Sequence, residues 1–85
     1  MKTLLANVPV GKKCKITFIN KNTSRKRLLE IGLHIGAEIE VLRRSPFKDP
    51  TQYRIGDFLV SLRKVEALNI EVELLEESFM AEFNN

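Results

Sequence analysis

Hydrophobic residues alternate with polar ones in several short stretches of the chain, which is the pattern of strands that bury one face. The first stretch, residues 13–20, has Cys14, Ile16 and Phe18 on one face and lysine and threonine side chains on the other. Ile19 falls outside this alternation, so we expect the strand either to bend or to have both faces covered near its end. Similar patterns and flanking turn residues predict further strands over residues 38–44, 52–55, 58–62 and 70–74.

A short helix is predicted between the first two strands. Any of the polar residues at 22–24 offers an N-cap, because its side chain can accept a hydrogen bond from a free N–H of the first turn. The apolar side of the helix is formed by Leu28, Leu29 and Ile31. Gly32 suits the position just after the helix, where a left-handed backbone favours a residue without a Cβ, and Leu33 follows as the apolar contact that closes the helix end. Gly36 predicts a second turn with positive φ.

Turn signals join these elements into a mostly β fold. Two prolines fix the loop 45–50, Gly56-Asp57 joins two strands as a hairpin, and residues 63–68 suit one helical turn. Five short strands with tight turns and one helix favour a small five-stranded β-barrel. The predicted core consists of Ile16, Phe18, Leu28, Ile31, Ile39, Val41, Ile55, Leu59, Leu62, Ala67, Ile70 and Val72.

The last residues differ from the rest in charge and in pattern. One face of a helix would carry four apolar residues, Leu75, Phe79, Met80 and Phe83. We therefore divide the chain into a barrel domain, 1–75, and an acidic amphipathic tail, 76–85, which is a candidate C-terminal helix. The tail could pack on its own barrel, contact a partner or a second copy of the chain, or fray.

Charge is distributed unevenly, although the formal net charge is only +3. Residues 1–64 hold all 14 lysines and arginines and five acids, a net charge of +9, whereas residues 65–85 hold six acids and no base. The basic residues of this part, 1–64, could form a plain solvated surface, a docking surface for an acidic protein, or a nucleic-acid-binding surface. Nucleic acid is less favoured, because only Tyr53 and Phe47 are candidates for exposed platforms on which bases stack. Phe18 and Phe58 are predicted to be core residues and are therefore not candidates for such platforms.

The sequence contains no constellation of catalytic residues, which argues against an enzyme. His34 is the only histidine, and neither a nucleophile–histidine–acid spacing nor a glycine-rich phosphate loop accompanies it. Cys14 is the only cysteine, so we expect a small apolar strand residue and no internal disulfide. No cofactor is predicted, and His34 is the one weak candidate for binding Fe(II) or another divalent metal. Neither an export signal nor a membrane-spanning stretch is visible, so we expect a cytoplasmic protein.

The order and spacing of many short motifs are similar to those of one known family. The matching positions, between about residues 4 and 73, are Gly11, Ile16, Ile19, Arg27-Leu28, Ile31-Gly32-Leu33, Gly36, Ile39, Val41, Pro46, Asp49-Pro50, Gly56, Leu62-Arg63, Ala67, Ile70 and Val72. With this pattern the chain resembles the FeoA family, the small cytosolic component of bacterial and archaeal ferrous-iron uptake systems. Ile35, where the family usually has proline, and Glu66, where aspartate is common, depart from the pattern.

The resemblance implies an SH3-like barrel that docks on and regulates the large membrane ferrous-iron transporter, whose cytosolic part carries a G-protein domain. It implies no catalytic or cofactor site, and it places the protein in the cytoplasm, including the inner face of the membrane. The docking surface is expected on the helix 25–31 and the turn 33–36, with the tail as a further candidate part, together with further arginines. The predicted partner-binding residues are Arg25, Arg27, Leu33, His34, Arg43, Arg44 and Arg63.

Two other classes of function remain open from the sequence. The basic residues of 1–64 could bind nucleic acid, in which case the affinity would fall steeply with salt. Alternatively, His34 and carboxylates of the tail could hold a metal between two copies of the chain or sense it. The tail could also form a homodimer contact without a metal.

Overall fold

Six antiparallel strands form a single sheet in the part of the chain that the structure describes, residues 2–21 and 25–75 of a computed structural model. The strands are β1 (Lys2–Leu4), β2 (Lys13–Ile19), β3 (Glu38–Arg44), β4 (Thr51–Ile55), β5 (Phe58–Leu62) and β6 (Ile70–Leu74). Two short helices, α1 (Arg25–Glu30) and α2 (Lys64–Ala67), and a 3-10 turn at Leu5–Asn7 complete the described fold. The strand order is β1-β6-β2-β3-β4-β5, so β1 and β5 lie at the edges.

The predicted elements are found, with one strand more than expected. β2 to β6, α1 and the helical turn of α2 lie at the predicted positions. The additional strand β1 pairs with β6 at one edge of the sheet, with Lys2 opposite Glu73. It has only three residues, too few for an alternation to be visible in the sequence. Within residues 2–21 and 25–75, neither helix has the length and apolar character needed to cross a membrane.

The core lies on one face of the sheet and is closed by α1 and the 3-10 turn. Its buried apolar residues are Leu5, Val8, Cys14, Ile16, Ile19, Leu28, Leu33, Ala37, Ile39, Val41, Tyr53, Ile55, Leu62, Ala67, Ile70 and Val72. Cys14 is a small apolar strand residue, as predicted. Its Sγ lies 3.7 Å from the carbonyl oxygen of Ile39, and burial raises the pKa of the thiol to about 12.

A β-bulge in β2 corrects the prediction for Phe18. Ile16 lies opposite Val72, but Phe18 lies opposite Glu71. A step of two residues along β2 therefore corresponds to a step of one residue along β6. The bulge reverses the alternation. Ile19 is therefore buried, whereas Phe18, which was predicted to be in the core, is half-exposed.

The hairpin of β4 and β5 corrects three further assignments. Tyr53, a candidate exposed platform, is only 1% exposed because it pairs with Val41 and Val60 on the core side of the sheet. Leu59, predicted to be in the core, pairs with the exposed Arg54 on the outer face and is 58% exposed. Phe58 lies beside the hairpin turn, beyond the end of the core, and is 71% exposed.

Candidate docking groove

The end of α1 is fixed by backbone hydrogen bonds that require a left-handed residue. Gly32 has φ +95°, and its N–H donates to the carbonyl of Leu29 at 3.1 Å while the N–H of Leu33 donates to that of Leu28 at 2.8 Å. This pair of bonds is the Schellman motif. Leu28 and Leu33 are both buried in the core. They anchor the helix, and Leu29 is consequently left facing solvent.

The turn after α1 is bound to β2. The N–H of Gly36 donates to the carbonyl of Ile16 at 2.7 Å, and the N–H of Ile16 donates to the carbonyl of Ala37 at 2.9 Å. Between these anchors His34 and Ile35 remain exposed, and His34 Nδ1 lies 3.0 Å from the carbonyl oxygen of Ile35. The turn thus presents one imidazole and one apolar side chain beside α1.

Exposed apolar side chains from α1 and β5 line one groove. This helix–hairpin groove, of about 330 Å³, is lined by Leu29, Glu30, Ile31, Gly32, Phe58, Leu59 and Val60. A neighbouring hollow of about 230 Å³ is lined by Ile19, Leu29, His34 and Ile35. Leu29 lines both and is 60% exposed, and Ile35 is 56% exposed. Apolar side chains that cluster on a surface in this way are typical of interaction sites.

Ionic contacts tie α1 to α2 beside the groove. Arg27 forms an ion pair with Glu66, and the other carboxylate oxygen of Glu66 accepts the backbone N–H of Arg63 at 2.9 Å. Pairs exposed in this way contribute about 0–1 kcal/mol to stability. Through Glu66 these contacts connect the side chain of Arg27 on α1 with the backbone of Arg63 at the start of α2.

The predicted partner-binding residues do not form one continuous surface. Arg27 lies on α1, and His34 lies in the hollow next to the groove. Arg25 also belongs to α1, but its side chain is outside the described part of the structure. Leu33 is fully buried, so its inclusion was wrong: it anchors the helix end and its side chain cannot touch a partner. These placements leave two candidates near the groove: His34 in the neighbouring hollow, and Arg27 on the helix that forms one side of the groove.

The remaining predicted arginines lie elsewhere. Arg43 is exposed and lines a separate hollow near the loop 45–50. Arg44 is half-buried, and its Nη2 donates to the carbonyls of Ala6 at 3.1 Å and Val8 at 2.9 Å, so it holds the N-terminal segment. Arg63 is exposed, and its Nη1 lies 3.8 Å from a carboxylate oxygen of Asp49.

Metal-binding residues do not converge on His34 among residues 2–21 and 25–75. No group of three or more histidine, cysteine or acidic side chains lies close enough there to hold an ion. Cys14 is buried, and burial raises the pKa of its thiol to about 12, so the reactive thiolate is disfavoured at neutral pH. The tail carboxylates that were considered as partners of His34 lie outside the described residues.

Sequence reasoning missed the apolar residues of the groove. Phe58 and Leu59 were placed in the core, and Leu29 was counted on the buried side of the helix. One signal was present: the run Phe58-Leu59-Val60 has three successive apolar residues, and an edge strand cannot bury both faces. For Leu29, a helix of six residues has one side against the core and leaves the others outward.

Comparisons with known proteins agree with this fold. Residues 3–74 match the model of the FeoA domain. The FeoA-like protein of Clostridium acetobutylicum has a solved structure with a TM-score of 0.81 and 32% identity, and the match covers 89% of this chain and 90% of that one. FeoA of Stenotrophomonas maltophilia complexed with zinc, a procaryotic SH3 domain protein, shares the fold at 21% identity, with a TM-score of 0.71 over 84% of this chain and 89% of that one.

A longer relative contains the same module joined to a transporter. The Fe(2+) transport protein A/Fe(2+) transporter FeoB fusion protein of Porphyromonas gingivalis is 51% identical over 51 residues, which are 60% of this chain and only 6% of that protein. The described fold is the SH3-like barrel that the sequence predicted, and the match to the family model extends over nearly all of it. The chain belongs to the FeoA family.

Proposed function

We propose that the chain is a cytosolic accessory domain of a ferrous-iron uptake system. It docks through the helix–hairpin groove on the cytosolic part of the membrane transporter. There it regulates transport without catalysing a reaction itself. The groove gives the strongest support, because Leu29, Phe58 and Leu59 remain exposed to water in the isolated chain. Burying apolar surface against a partner is favourable by about 25 cal/mol per Å².

The relative from Porphyromonas gingivalis supports the choice of partner. In that protein a transport protein A region and a FeoB transporter are parts of one polypeptide. Two modules held in one chain meet at a high effective concentration, which suits a direct contact between them. The net charge of +9 in residues 1–64 favours a partner surface on which acidic residues surround an apolar anchor.

A binding titration with two phenylalanine variants tests the proposal. The purified chain is titrated with the soluble G-protein domain of its own transporter, as wild type, as Phe58→Ala and as Phe47→Ala. Both phenylalanines are exposed, but Phe47 lies in the loop after β3, 89% exposed, and lines neither hollow beside α1. Burial of a phenylalanine is worth about 1.5–3 kcal/mol, so Phe58→Ala should weaken binding at least about tenfold.

The outcomes separate the partner from the surface. Saturable binding that Phe58→Ala weakens and Phe47→Ala leaves unchanged supports docking through the groove. Equal effects of both substitutions would still support the transporter as partner but would refute the groove as the contact surface. Absence of binding, together with unchanged ferrous uptake in cells lacking the chain, would refute the accessory role. A structured RNA titrated at low and moderate salt serves as the control for the nucleic-acid alternative.

A further inference from the structure

A separate cavity shares no lining residue with the helix–hairpin groove. It has a volume of about 140 Å³ and lies between the 3-10 turn, the end of β3, the loop 45–50 and α2. The polar side chains that line this basic cavity are Asn7, Arg44, Lys48, Thr51, Tyr53 and Lys64. Water occupies about 30 Å³ per molecule in the liquid, so the cavity has room for a small polyatomic ligand and water.

Three cations meet at the basic cavity, and none of them has an acidic partner within residues 2–21 and 25–75. Arg44, Lys48 and Lys64 form no ion pair there, whereas Arg27, Arg54 and Arg63 do. Asp49 lies beside the cavity: its carboxylate accepts the backbone N–H of Lys64 at 2.7 Å, lies 3.8 Å from Arg63 Nη1, and acts electrostatically on Tyr53. This one carboxylate, which also pairs with Arg63, offsets only part of the charge of the three cations, so the cavity keeps an excess of positive charge.

Arg44 makes this excess charge significant because its side chain is half-buried. Its Nη2 is used by the carbonyls of Ala6 and Val8, which are neutral acceptors. A cation that has lost part of its hydration gains from a nearby anion much more than a fully exposed one does. The guanidinium is also held in place by the two carbonyls, so a ligand would meet a fixed donor.

Buried hydroxyl groups form the floor of the basic cavity. Tyr53 is 1% exposed and Thr51 is 7% exposed. Burial is the main cause that raises the pKa of Tyr53; Cys14 and Asp49 raise it further, whereas a hydrogen bond with Thr51 and the charge of Arg44 lower it. Tyr53 thus remains a neutral phenol at physiological pH, and a phenol donates hydrogen bonds to oxyanions.

The lysine on the opposite wall is presented by a fixed loop. Ser45 Oγ donates to the carbonyl of Asp49 at 2.8 Å and accepts its N–H at 3.0 Å. The N–H of Lys48 donates to the carbonyl of Ser45 at 2.8 Å. These bonds close the loop 45–50 on itself and hold Lys48 over the cavity.

We propose that the basic cavity binds a small phosphate-type oxyanion between Arg44, Lys48 and Lys64, with Tyr53 at its base. A tetrahedral oxyanion has several acceptor oxygens and up to two negative charges, which suits three cations and a phenol that surround one small space. The bound anion would connect the N-terminal segment, the loop 45–50 and α2. The phosphate could be inorganic or could belong to a nucleotide, and both present the same group to the cavity.

An NMR titration tests this site on the whole chain. Inorganic phosphate and, separately, adenosine monophosphate are added at constant ionic strength while backbone amide signals are recorded. We expect saturable shifts at Asn7, Lys48 and Lys64. The double variant Lys48→Gln/Lys64→Gln should bind at least about tenfold more weakly. Both lysines are exposed, so the variant keeps the core, and Lys26→Gln, which removes an exposed lysine outside the basic cavity, should bind as the wild type does.

Each outcome bears on the proposal. Binding of both ligands with similar affinity assigns the cavity to the phosphate group of an ester, and binding of inorganic phosphate alone assigns it to the free anion. Thermal stability gives a second readout, because a ligand of the native state raises the melting temperature. Phosphate also stabilises proteins non-specifically, so only a rise that Lys48→Gln/Lys64→Gln loses and Lys26→Gln keeps counts as support. No saturable shift up to ~10 mM, or equal affinity of the double variant, would overturn the site.

Discussion

Replacing Gly32 by alanine isolates the contribution of the left-handed residue at the end of α1. A Cβ at this position would meet Ile55 Cγ2 at 3.8 Å, which is an ordinary contact, so the substitution introduces no clash. The change therefore acts through the backbone, which has φ +95°. A left-handed conformation is unfavourable for alanine by about 1–2 kcal/mol. The smaller conformational freedom of the unfolded alanine chain offsets about 0.4–1 kcal/mol of this.

The net loss expected for Gly32→Ala is about 1 kcal/mol of the free energy of unfolding. In a domain of this size that loss lowers the melting temperature by about 4–8 °C. In urea, with a slope of about 1–3 kcal/mol per M, it lowers the midpoint by roughly 0.3–1 M. Circular dichroism during urea unfolding measures the shift directly.

Gly32→Asn distinguishes the backbone from the packing explanation. Asparagine tolerates positive φ better than alanine although it is larger. If the backbone causes the loss, the asparagine variant will be more stable than the alanine variant. If crowding against Ile55 caused it, the larger side chain would be the worse one. An alanine variant as stable as wild type, or an asparagine variant less stable than alanine, would refute the reasoning.

Two further predictions concern buried polar groups. Arg44→Met should lower the free energy of unfolding by about 2 kcal/mol, because two backbone carbonyls lose a charged donor. The control Arg43→Met, on the exposed face, should change it by less than about 0.5 kcal/mol. Equal losses of stability in urea unfolding would contradict the assigned roles. Burial raises the pKa of the Cys14 thiol from its ordinary value of 9.0 to about 12. The unfolded state therefore releases this proton first, and stability should fall as the pH rises from about 9 to 12. Cys14→Val should remove that part of the fall, leaving the part due to Tyr53, whose pKa is also raised, from its ordinary value of 10.0; an unchanged pH profile would show that Cys14 is not responsible.

Local patterns were sufficient to predict most of the strands and both glycine turns. Gly32 and Gly36 have positive φ, as expected, since a helix end and a tight turn are recognisable from a few neighbouring residues. The bulge in β2 depends instead on how that strand pairs with β6, more than 50 residues away. Phe18 was misplaced for this reason: Ile19, which is out of phase with the alternation, indicates an irregularity in the strand, but only the pairing with β6 shows where the register shifts.

The same limit applies to the functional surfaces. The register of β3 against β4 shifts between Val41 and Arg43, so Arg44 lies opposite the buried Thr51, whereas simple alternation would place Arg43 on that face. The helix–hairpin groove combines Leu29 with Phe58, which are far apart in the sequence. Whether either side chain is covered depends on the elements around it. Hydrophobicity alone therefore assigned Phe58 to the core and Leu29 to the apolar side of the helix.

The pairing of β1 with β6 has a consequence for how this domain can be joined to other proteins. Lys2 lies opposite Glu73, and neighbouring strands are about 4.8 Å apart, so chains attached before β1 and after β6 depart from adjacent points. If the chain docks as proposed, a transporter linked covalently at either point would meet it at an effective concentration on the order of mM. A contact whose dissociation constant lies below that concentration would then be occupied most of the time. A free-standing chain has to reach the same occupancy through its own affinity and its abundance in the cell.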